Sequence, residues 1–539
     1  MIARKSFLIV TTHFFIDFLG WVGIVILAKL WGGFAPEAIG IIGFAMSFIS
    51  LFGIITDLGF SSAHVKRVSE GKDLGTCIGT FAAIKILLTG LMVACIFGAI
   101  YILKNVLNRG FYDATTESVI IVIVFHAIFT NLYTIATQTF TGKREVAKLQ
   151  ITMMMENIVK VPLSIIVALA GVTSMGYNIV PAIAWPEFLR PIQKFLAAHA
   201  VGSLAMTYVF GIMAVFLVGM YLLRKYPLKK PSWSLSKSYF SFALPIMLAS
   251  VVGTVAHSVD SVMVGYFYAS TEVGYYYTVQ RILSFISVLY ISVGTVLYPT
   301  ISKQHSQKDI SGIISTAHLS ERYMSMVLIP PVLFVIVFSK PIINIMLSSA
   351  FLPAAPVLIV LVLLPLIRGL SVPYSSLIHG MNRPDIAAKI GVAVCIINII
   401  LNYAFIPKNG LLSSFGINGA IGAAVATVAS FTVTFIGLRL AAKKLSGIKL
   451  LQSHTPRHII AGIIMAGILY YIAFQIPFID EIRWYILLGF AGLGLLIYLG
   501  VMFLLREFNK DDLNFFLDIL RINEMIKYIK SELKSKPKK

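Results

Sequence analysis

The distribution of lysine and arginine between its apolar stretches is the feature that most constrains this chain. Hydropathy divides residues 6–505 into about fourteen apolar stretches, each long enough to cross a bilayer as a helix. Of the 44 Lys and Arg residues, 32 lie in the tails or in connections that follow even-numbered stretches, 8 lie on the opposite set and 4 lie inside stretches. This is the positive-inside pattern. It predicts a multi-pass protein of the cell membrane with both termini in the cytosol.

Composition supports the same fold class and narrows the possible partners. The chain has 539 residues, of which 58% are hydrophobic and 12% charged, and soluble domains are not this apolar. The apolar runs are too long for barrel strands, so an all-α polytopic membrane protein is expected. The net charge of +21 suits loops facing an anionic leaflet, and we expect no nucleic-acid partner. Three dispersed cysteines, without metal-ligand spacing, predict neither a disulfide framework nor a metal site.

The spans fall into two weakly similar halves. Spans one to six lie in 1–223, spans seven to twelve lie in 239–440, and the basic segment 224–238 is expected to act as a cytosolic hinge between them. Matching turn motifs in the same order indicate a parallel repeat, which predicts two six-helix lobes. Spans thirteen and fourteen, in 441–505, lie outside the repeat. Residues 506–539 are predicted to form a basic amphipathic helix on the cytosolic leaflet.

Polar and charged residues inside spans are costly there, which makes them candidates for function. The sequence offers too few acids to pair each of three intramembrane cations, Lys85, Lys160 and Arg368. We therefore predict that they line a cationic cavity, which suits an anion such as a pyrophosphate. Glu156 lies four residues before Lys160, and a local ion pair is an equal alternative for these two. The full set comprises the cations Lys85, Lys160, Arg368 and Arg281, the acids and amide Asp17, Glu156 and Asn157, and the further polar residues His13, His126 and Asp260.

Two details of this set bear on its interpretation. His13 and Asp17 are four residues apart and share a helix face. Asp260 and Arg281 fall in the outer halves of adjacent spans, where a structural ion pair is favoured over a role for Arg281 in the cationic lining. His126, standing alone, is more often a hydrogen-bonded polar residue than a site.

Signatures of enzymes are missing from the sequence. It has no Gly-rich phosphate loop with a following Lys-Ser/Thr, no HExxH and no Gly-x-Ser-x-Gly elbow. No cofactor is therefore expected. Energy for any transport would come from ions, from the membrane potential or from a downhill substrate.

Several short motifs resemble those of polysaccharide flippases of the MOP exporter superfamily, which also contains the MATE exporters. They are Asp57-Leu58-Gly59 with His64-Val65-Lys66-Arg67, Asp260 with Gly265 and Gly274-Tyr275-Tyr276, Gly380-Met381-Asn382-Arg383-Pro384, and Phe415-Gly416-Ile417-Asn418-Gly419-Ala420. The resemblance implies two six-helix lobes forming a V around a central cavity, plus two additional C-terminal spans here. By analogy with the drug exporters, it makes Asp17, Glu156 and Asn157 candidates for binding Na⁺ or H⁺.

The predicted function is translocation of a polyprenyl-linked oligosaccharide from the cytosolic to the outer leaflet by alternating access, for surface glycan assembly. The expected partners are this substrate, membrane lipids and Na⁺ or H⁺, and the protein is expected to be a monomer. One alternative is a Na⁺- or H⁺-coupled multidrug exporter of the MATE type, which would have an acid-dominated cavity. Another is a membrane-embedded glycosyltransferase or polymerase, but the longest external loop, 173–200, holds only one acid, Glu187.

The topology can be tested by accessibility labelling. Cysteine introduced at Ser234 or Ser446 should react only with reagent supplied from the cytosolic side, because both positions lie in basic connections. Cysteine at Asn409 should react only from outside. Labelling of both classes from the same side would contradict the predicted arrangement of spans.

Overall fold

The computed structural model describes residues 2–108, 110–111, 114–449, 454–475, 482–508 and 512. The α-helices in this part of the chain are α1 Ile2–Trp31, α2 Ala35–Asp57, α3 Phe60–Ser69, α4 Leu74–Tyr101, α5 Ala114–Gly142, α6 Val146–Leu169, α7 Arg190–Ala198, α8 Ala200–Leu223, α9 Trp233–Phe267, α10 Ser270–Ser306, α11 Ile310–Val337, α12 Ser339–Met346, α13 Ala355–Leu361, α14 Leu363–Gly380, α15 Pro384–Phe405, α16 Gly419–Ser446, α17 His454–Phe474 and α18 Trp484–Leu504. Short 3-10 or π turns extend or join several of them.

The predicted fold class, an all-helical polytopic membrane protein, is confirmed. Within the described residues, 11 stretches are long and apolar enough to cross a membrane. The first, Phe14–Asp57, spans 44 residues and includes most of α1 and all of α2, so it covers two predicted spans. Helices α9 and α10 coincide with the seventh and eighth predicted spans but are not among these stretches. The count of fourteen therefore stays a prediction.

Helix ends are set by local chemistry. The side chain of Asp73 accepts a hydrogen bond from the backbone N–H of Thr76 at 2.8 Å, which caps the start of α4. Asp309 caps α11 in the same way through the N–H of Gly312 at 2.8 Å. At the other end of a helix, Gly447 takes a left-handed conformation (φ 75°) that terminates α16.

Packing divides the chain into two compact units, residues 1–271 and 272–520. In the first unit, α6 packs against α1 and α8, α5 packs against α8, and α9 packs against α2, α3 and α4. In the second, α16 packs against α14 and α15, and α11 packs against α14 and α17. The packing boundary thus follows α9, whereas the predicted repeat boundary precedes it. The repeat boundary concerns internal similarity rather than packing and stays a prediction.

The connection between α8 and α9 is docked along the start of α4. The backbone N–H of Lys229 donates to the carbonyl of Gly75 at 3.2 Å, and its Nζ pairs with Asp73 at 2.8 Å. Gly79 makes this approach possible, since a Cβ at that position would lie 1.9 Å from the carbonyl oxygen of Lys229. The segment 224–238, predicted as a hinge, is therefore held against a helix over part of its length.

The docking predicts opposite effects for two glycine substitutions in α4. Gly79→Ala should lower the thermal midpoint and increase tryptic cleavage between Lys229 and Lys230, because the added methyl group displaces the segment. Gly90→Ala is the matched control: no described atom lies within 4 Å of its Cβ position, and alanine improves helix propensity by roughly 0.5–1 kcal/mol. Differential scanning fluorimetry in detergent and limited proteolysis would measure both. Indistinguishable behaviour of the two variants would contradict the docked arrangement.

Candidate functional site

A sharp corner between α2 and α3 presents the first carboxylate of the candidate site. Helix α2 ends at Asp57 because Leu58 (φ 39°) and Gly59 (φ 87°) both adopt left-handed conformations. The turned chain brings the backbone N–H of Ser61 to 3.3 Å from Oδ1 of Asp57. The Asp57-Leu58-Gly59 motif is therefore a structural corner, in which glycine supplies the positive φ.

Lys85 on α4 reaches this corner from inside the unit. Its Nζ donates to the carbonyl of Thr56 at 2.9 Å and lies 3.4 Å from Oδ1 of Asp57. The side chain of Lys85 is 1% exposed, whereas that of Asp57 is 45% exposed. The lysine for which the sequence offers no clear partner thus has one, and in this conformation it contributes to helix packing rather than to an open surface.

A neutral histidine lies next to this ion pair. His64 on α3 is fully buried, with its ring nitrogens 3.0 Å from the Tyr239 hydroxyl and 2.9 Å from the Thr139 hydroxyl. Its ring stacks on Phe81 at 4.3 Å. Burial, together with the nearby charge of Lys85, lowers the pKa of His64 to about 3. The sequence names His64 only as part of a family motif and does not reveal this network, since the partners of His64 come from distant helices.

On α6 the local ion pair offered as an alternative is present. Lys160 Nζ lies 3.2 Å from Oε1 of Glu156 and 4.9 Å from the ring centroid of Tyr208. The lysine is 16% exposed and the glutamate 33% exposed, so both remain within reach of a ligand. Both charges act on His126 of α5. The Thr130 hydroxyl is 3.5 Å from Nδ1 of His126.

The amide of Asn157 connects α6 with α1. Its Nδ2 donates to the carbonyl of Ile16 at 2.6 Å, and its Oδ1 is buried without a hydrogen-bond partner in the described part of the chain. Asp17, which follows the bonded carbonyl, is exposed. The side chain of His13 lies outside the described residues, so the predicted His13–Asp17 relation stays a prediction.

The remaining charged candidates have different surroundings. The guanidinium carbon of Arg368, on α14, lies 4.3 Å from the ring centroid of Phe431, and the side chain has no ion pair within the described residues. Arg281, on α10, is exposed and donates to the Tyr277 hydroxyl at 2.7 Å. Asp260, on α9, is buried. The predicted pairing of Asp260 with Arg281 stays a prediction.

The second unit contains a buried ionic cluster that sequence reasoning missed. Glu321 on α11 is 3.2 Å from Nη1 of Arg439 on α16 and accepts a hydrogen bond from the Tyr374 hydroxyl at 2.5 Å. Hydropathy puts the ninth predicted span at 322–349 and the twelfth at 416–438, so each charged residue falls just outside a span. Helix α11, however, begins at Ile310, well before its predicted span. Helical continuation from the Asp309 cap is the signal that could have identified the cluster.

A further cluster surrounds Glu507, just after α18. Its carboxylate pairs with Arg322 of α11 at 3.1 Å, with Arg457 of α17 at 2.9 Å and with His454. Burial opposes ionisation of Glu507, but hydrogen bonds from Arg457 and Arg322 outweigh it and lower its pKa. Asp512 adds a second pair with Arg322 at 2.6 Å. The beginning of the predicted surface tail is therefore buried and paired, while most of that tail lies outside the described residues.

Metal-binding chemistry is not evident in what the structure describes. Among those residues, no group of three or more His, Cys, Asp or Glu side chains could hold a metal ion. Cys77, Cys95 and Cys395 are free thiols.

Comparison with known proteins identifies the family. A model of the polysaccharide biosynthesis protein family matches residues 2–305, which is more than half of the chain. The chain belongs to this family. A second model, MatE, matches residues 245–404. The resemblance to polysaccharide flippases of the MOP superfamily is confirmed.

Individual relatives agree with this assignment. A probable low-salt glycan biosynthesis flippase of Haloferax volcanii is 30% identical over 247 residues, covering 45% of this chain and 50% of that relative. The match thus spans about half the length of the curated relative.

Two solved structures share the fold. The lipid II flippase MurJ in an inward closed conformation aligns with a TM-score of 0.68 at 19% identity, over 95% of this chain and 99% of that one. An inward-facing multidrug resistance MATE family transporter of the MOP superfamily aligns at 0.60 with 13% identity, over 79% of this chain and 96% of the other. At these identities the two alignments show that the fold is shared.

The unequal burial of Lys85 and Asp57 predicts unequal effects of removing either charge. Asp57→Asn keeps an acceptor for Ser61 but leaves a buried lysine without its counter-charge, which typically costs about 3–5 kcal/mol. Lys85→Met leaves a carboxylate that water can solvate, so we expect a smaller loss of stability. Thermal midpoints in detergent should rank accordingly, and the double variant should resemble Lys85→Met.

The control for this comparison is Glu187→Gln, which removes one charge from the exposed pair with Arg190. We expect its thermal midpoint to stay at that of the unmodified protein, because a solvated surface pair contributes little to stability. If Lys85→Met proved as damaging as Asp57→Asn, the carboxylate would not be the buried lysine's main stabilising partner.

Proposed function

We propose that this protein translocates a polyprenyl-linked oligosaccharide from the cytosolic to the outer leaflet by alternating access, during assembly of a surface glycan. Family membership across residues 2–305 supports a role in polysaccharide biosynthesis. The similarity to a probable glycan biosynthesis flippase supports a lipid-linked glycan as the cargo. The polyprenyl tail would stay in lipid while the sugar-pyrophosphate head crosses between helices.

The observation that carries the proposal is the state of Arg368. A charged side chain in the middle of a span costs about 2.5–3.5 kcal/mol on insertion scales. Within the described residues, no carboxylate pairs with Arg368 to offset this cost. The guanidinium carbon lies 4.3 Å from the ring centroid of Phe431, and Nε has no hydrogen-bond partner among the described residues. Guanidinium groups bind phosphate oxygens in bidentate fashion, so a pyrophosphate head is a chemically suitable counter-ion.

The other cations in this proposal differ in how accessible they are to the head group. Lys160 is partly exposed and shares Glu156, so an anionic head would compete for it directly. Arg281 is exposed beside Tyr277 and suits an outer contact with the head or its sugars. Lys85 is buried and would reach the head only after Asp57 has moved away.

We assign coupling to the residues where α1 meets α6. Asn157 offers a buried carbonyl oxygen without a hydrogen-bond partner among the described residues, and Asp17 offers an exposed carboxylate one residue after the bonded carbonyl of Ile16. Oxygen ligands of this kind suit Na⁺, and the carboxylates of Asp17 and Glu156 suit H⁺. Binding of either ion would change the balance of charge around Lys160.

A second candidate function is export of cationic drugs coupled to Na⁺ or H⁺. The observation that favours it is the MatE match over residues 245–404. A drug exporter would need its acids for an apolar cation, and the cations Lys160 and Arg368 would then hinder binding rather than promote it. Neutralising the cations therefore distinguishes the two functions.

The test is flipping of a fluorescent polyprenyl-pyrophosphoryl oligosaccharide in proteoliposomes. Lys160→Ala and Arg368→Ala should each slow flipping about tenfold or more, as expected for loss of a charge-assisted hydrogen bond of about 1.5–3 kcal/mol. Arg368→Lys should retain part of the activity because lysine lacks the bidentate fork. Asp17→Asn should alter the dependence on an imposed ion gradient.

Arg383→Ala is the matched control, because Arg383 is exposed and pairs with its near neighbour Asp385 at 3.1 Å. It should flip at the unmodified rate. Normal flipping by a Lys85→Ala, Lys160→Ala and Arg368→Ala triple variant would rule out the cationic mechanism. Improved efflux of a cationic dye by the same variant would favour the drug exporter.

A further inference from the structure

The second unit contains an open cavity that the proposed transport does not use. Its volume is about 540 Å³. The polar side chains that line it are Ser311, Ser315, His318 and Arg322 of α11 and His454 at the start of α17, together with two aliphatic residues of α11. The cavity lies at the end of α11 that the charge bias assigns to the cytosol.

The polar lining of α11 is a property of its sequence register. The four polar positions are spaced four, three and four residues apart, which places them on one helical face. Ser311 is already engaged, since its hydroxyl donates to Asp309 at 2.8 Å. Ser315 is exposed. The donors of α11 that remain for a ligand are therefore the Ser315 hydroxyl, the His318 ring and the Arg322 guanidinium.

The electrostatic surroundings of His318 favour an anion. The charged groups that act on it are Arg439, His454 and Lys449, all of them cationic when ionised. Its Nε2 is buried and has no hydrogen-bond partner among the described residues. A buried ring nitrogen without a partner is costly, and an anion with acceptor oxygens would satisfy it.

Arg322 provides a fixed edge to the cavity. Its Nε and Nη2 donate to Glu507 at 3.1 and 2.7 Å, and its Nη1 and Nη2 donate to Asp512 at 2.8 and 2.6 Å. A guanidinium has five N–H donors, so one donor of Arg322 remains unused among the described residues. The two carboxylates hold the group in a single orientation and also offset its charge. His454 is itself paired with Glu507. The net attraction for an anion therefore depends mainly on His318 and Lys449.

We propose that this cavity binds a phosphate group, carried either by the head of an anionic phospholipid or by a soluble anion. A phosphate offers acceptor oxygens to the imidazole, the serine hydroxyl and the remaining guanidinium N–H together. Leu319, half exposed at the rim, would contact the glycerol or acyl part of a lipid. The site is separate from Lys160 and Arg368, so it does not rest on the proposed transport function.

The experiment uses the full chain in detergent and measures the thermal midpoint with inorganic phosphate, with sodium chloride at equal ionic strength, and after transfer to vesicles. The vesicles contain phosphatidylcholine alone or with phosphatidylglycerol. Stabilisation by inorganic phosphate above that by chloride would indicate a soluble ligand. Stabilisation only by phosphatidylglycerol would indicate a lipid head group.

Two variants and one control make the test specific. Ser315→Ala with His318→Leu should raise the concentration needed for half-maximal stabilisation at least tenfold. Ser315→Asp, a change at an exposed position that should not disturb folding, should do the same through charge repulsion. Ser375→Ala with His379→Leu is the control, since these residues form an exposed Ser–His pair at the end of α14, outside the cavity.

The control should behave as the unmodified protein. The proposal would be overturned if neither phosphate nor phosphatidylglycerol stabilised the protein beyond chloride or phosphatidylcholine. It would equally be overturned if Ser315→Asp responded to both ligands as the unmodified protein does.

Discussion

The cost of removing a charge from water is the constraint on which the arrangement of this protein depends. In a chain of long apolar helices, each buried ionic group must find a counter-charge or hydrogen-bond partners. Lys85 meets Asp57 at the α2–α3 corner, and Glu321 meets Arg439 between α11 and α16. These contacts join helices that do not follow one another directly along the chain. They explain why most charges in the interior of each unit need no functional account.

That constraint also sorts the candidates. Glu156 and Lys160 could be paired from sequence because their spacing of four residues is a local property of a helix. Lys85 and Asp57 are 28 residues apart, and their contact depends on how α4 packs against α2. Hydropathy identifies the apolar part of each helix, but it does not detect the polar turns that extend a helix beyond that part. It therefore located most of the helices and missed the clusters around Glu321 and Glu507.

The connection between α8 and α9 is restrained by its contacts with α4. A proline-containing basic segment looks flexible in sequence, since proline and lysine are common in exposed linkers. Here Lys229 is hydrogen-bonded to the backbone of α4 and paired with Asp73. The absence of a side chain at Gly79 allows this close approach. Helix α9 packs in the same unit. If alternating access moved this segment away from α4, these contacts would have to break. The segment is therefore restrained and is not a flexible linker over its whole length.

Under the proposed function, Arg368 is a cation kept in a span to bind an anion. A carboxylate partner would stabilise the guanidinium but would also repel a pyrophosphate and compete for the same N–H donors. An aromatic neighbour avoids both problems, because the ring of Phe431 attracts the cation without carrying a negative charge. In the described part of the chain, Nε of Arg368 has no hydrogen-bond partner and could donate to the proposed ligand. A carboxylate partner, as Asp57 is for Lys85, favours stability, whereas an aromatic neighbour leaves the cation's charge available. This difference is the physical basis for placing Arg368 at the centre of the proposed site.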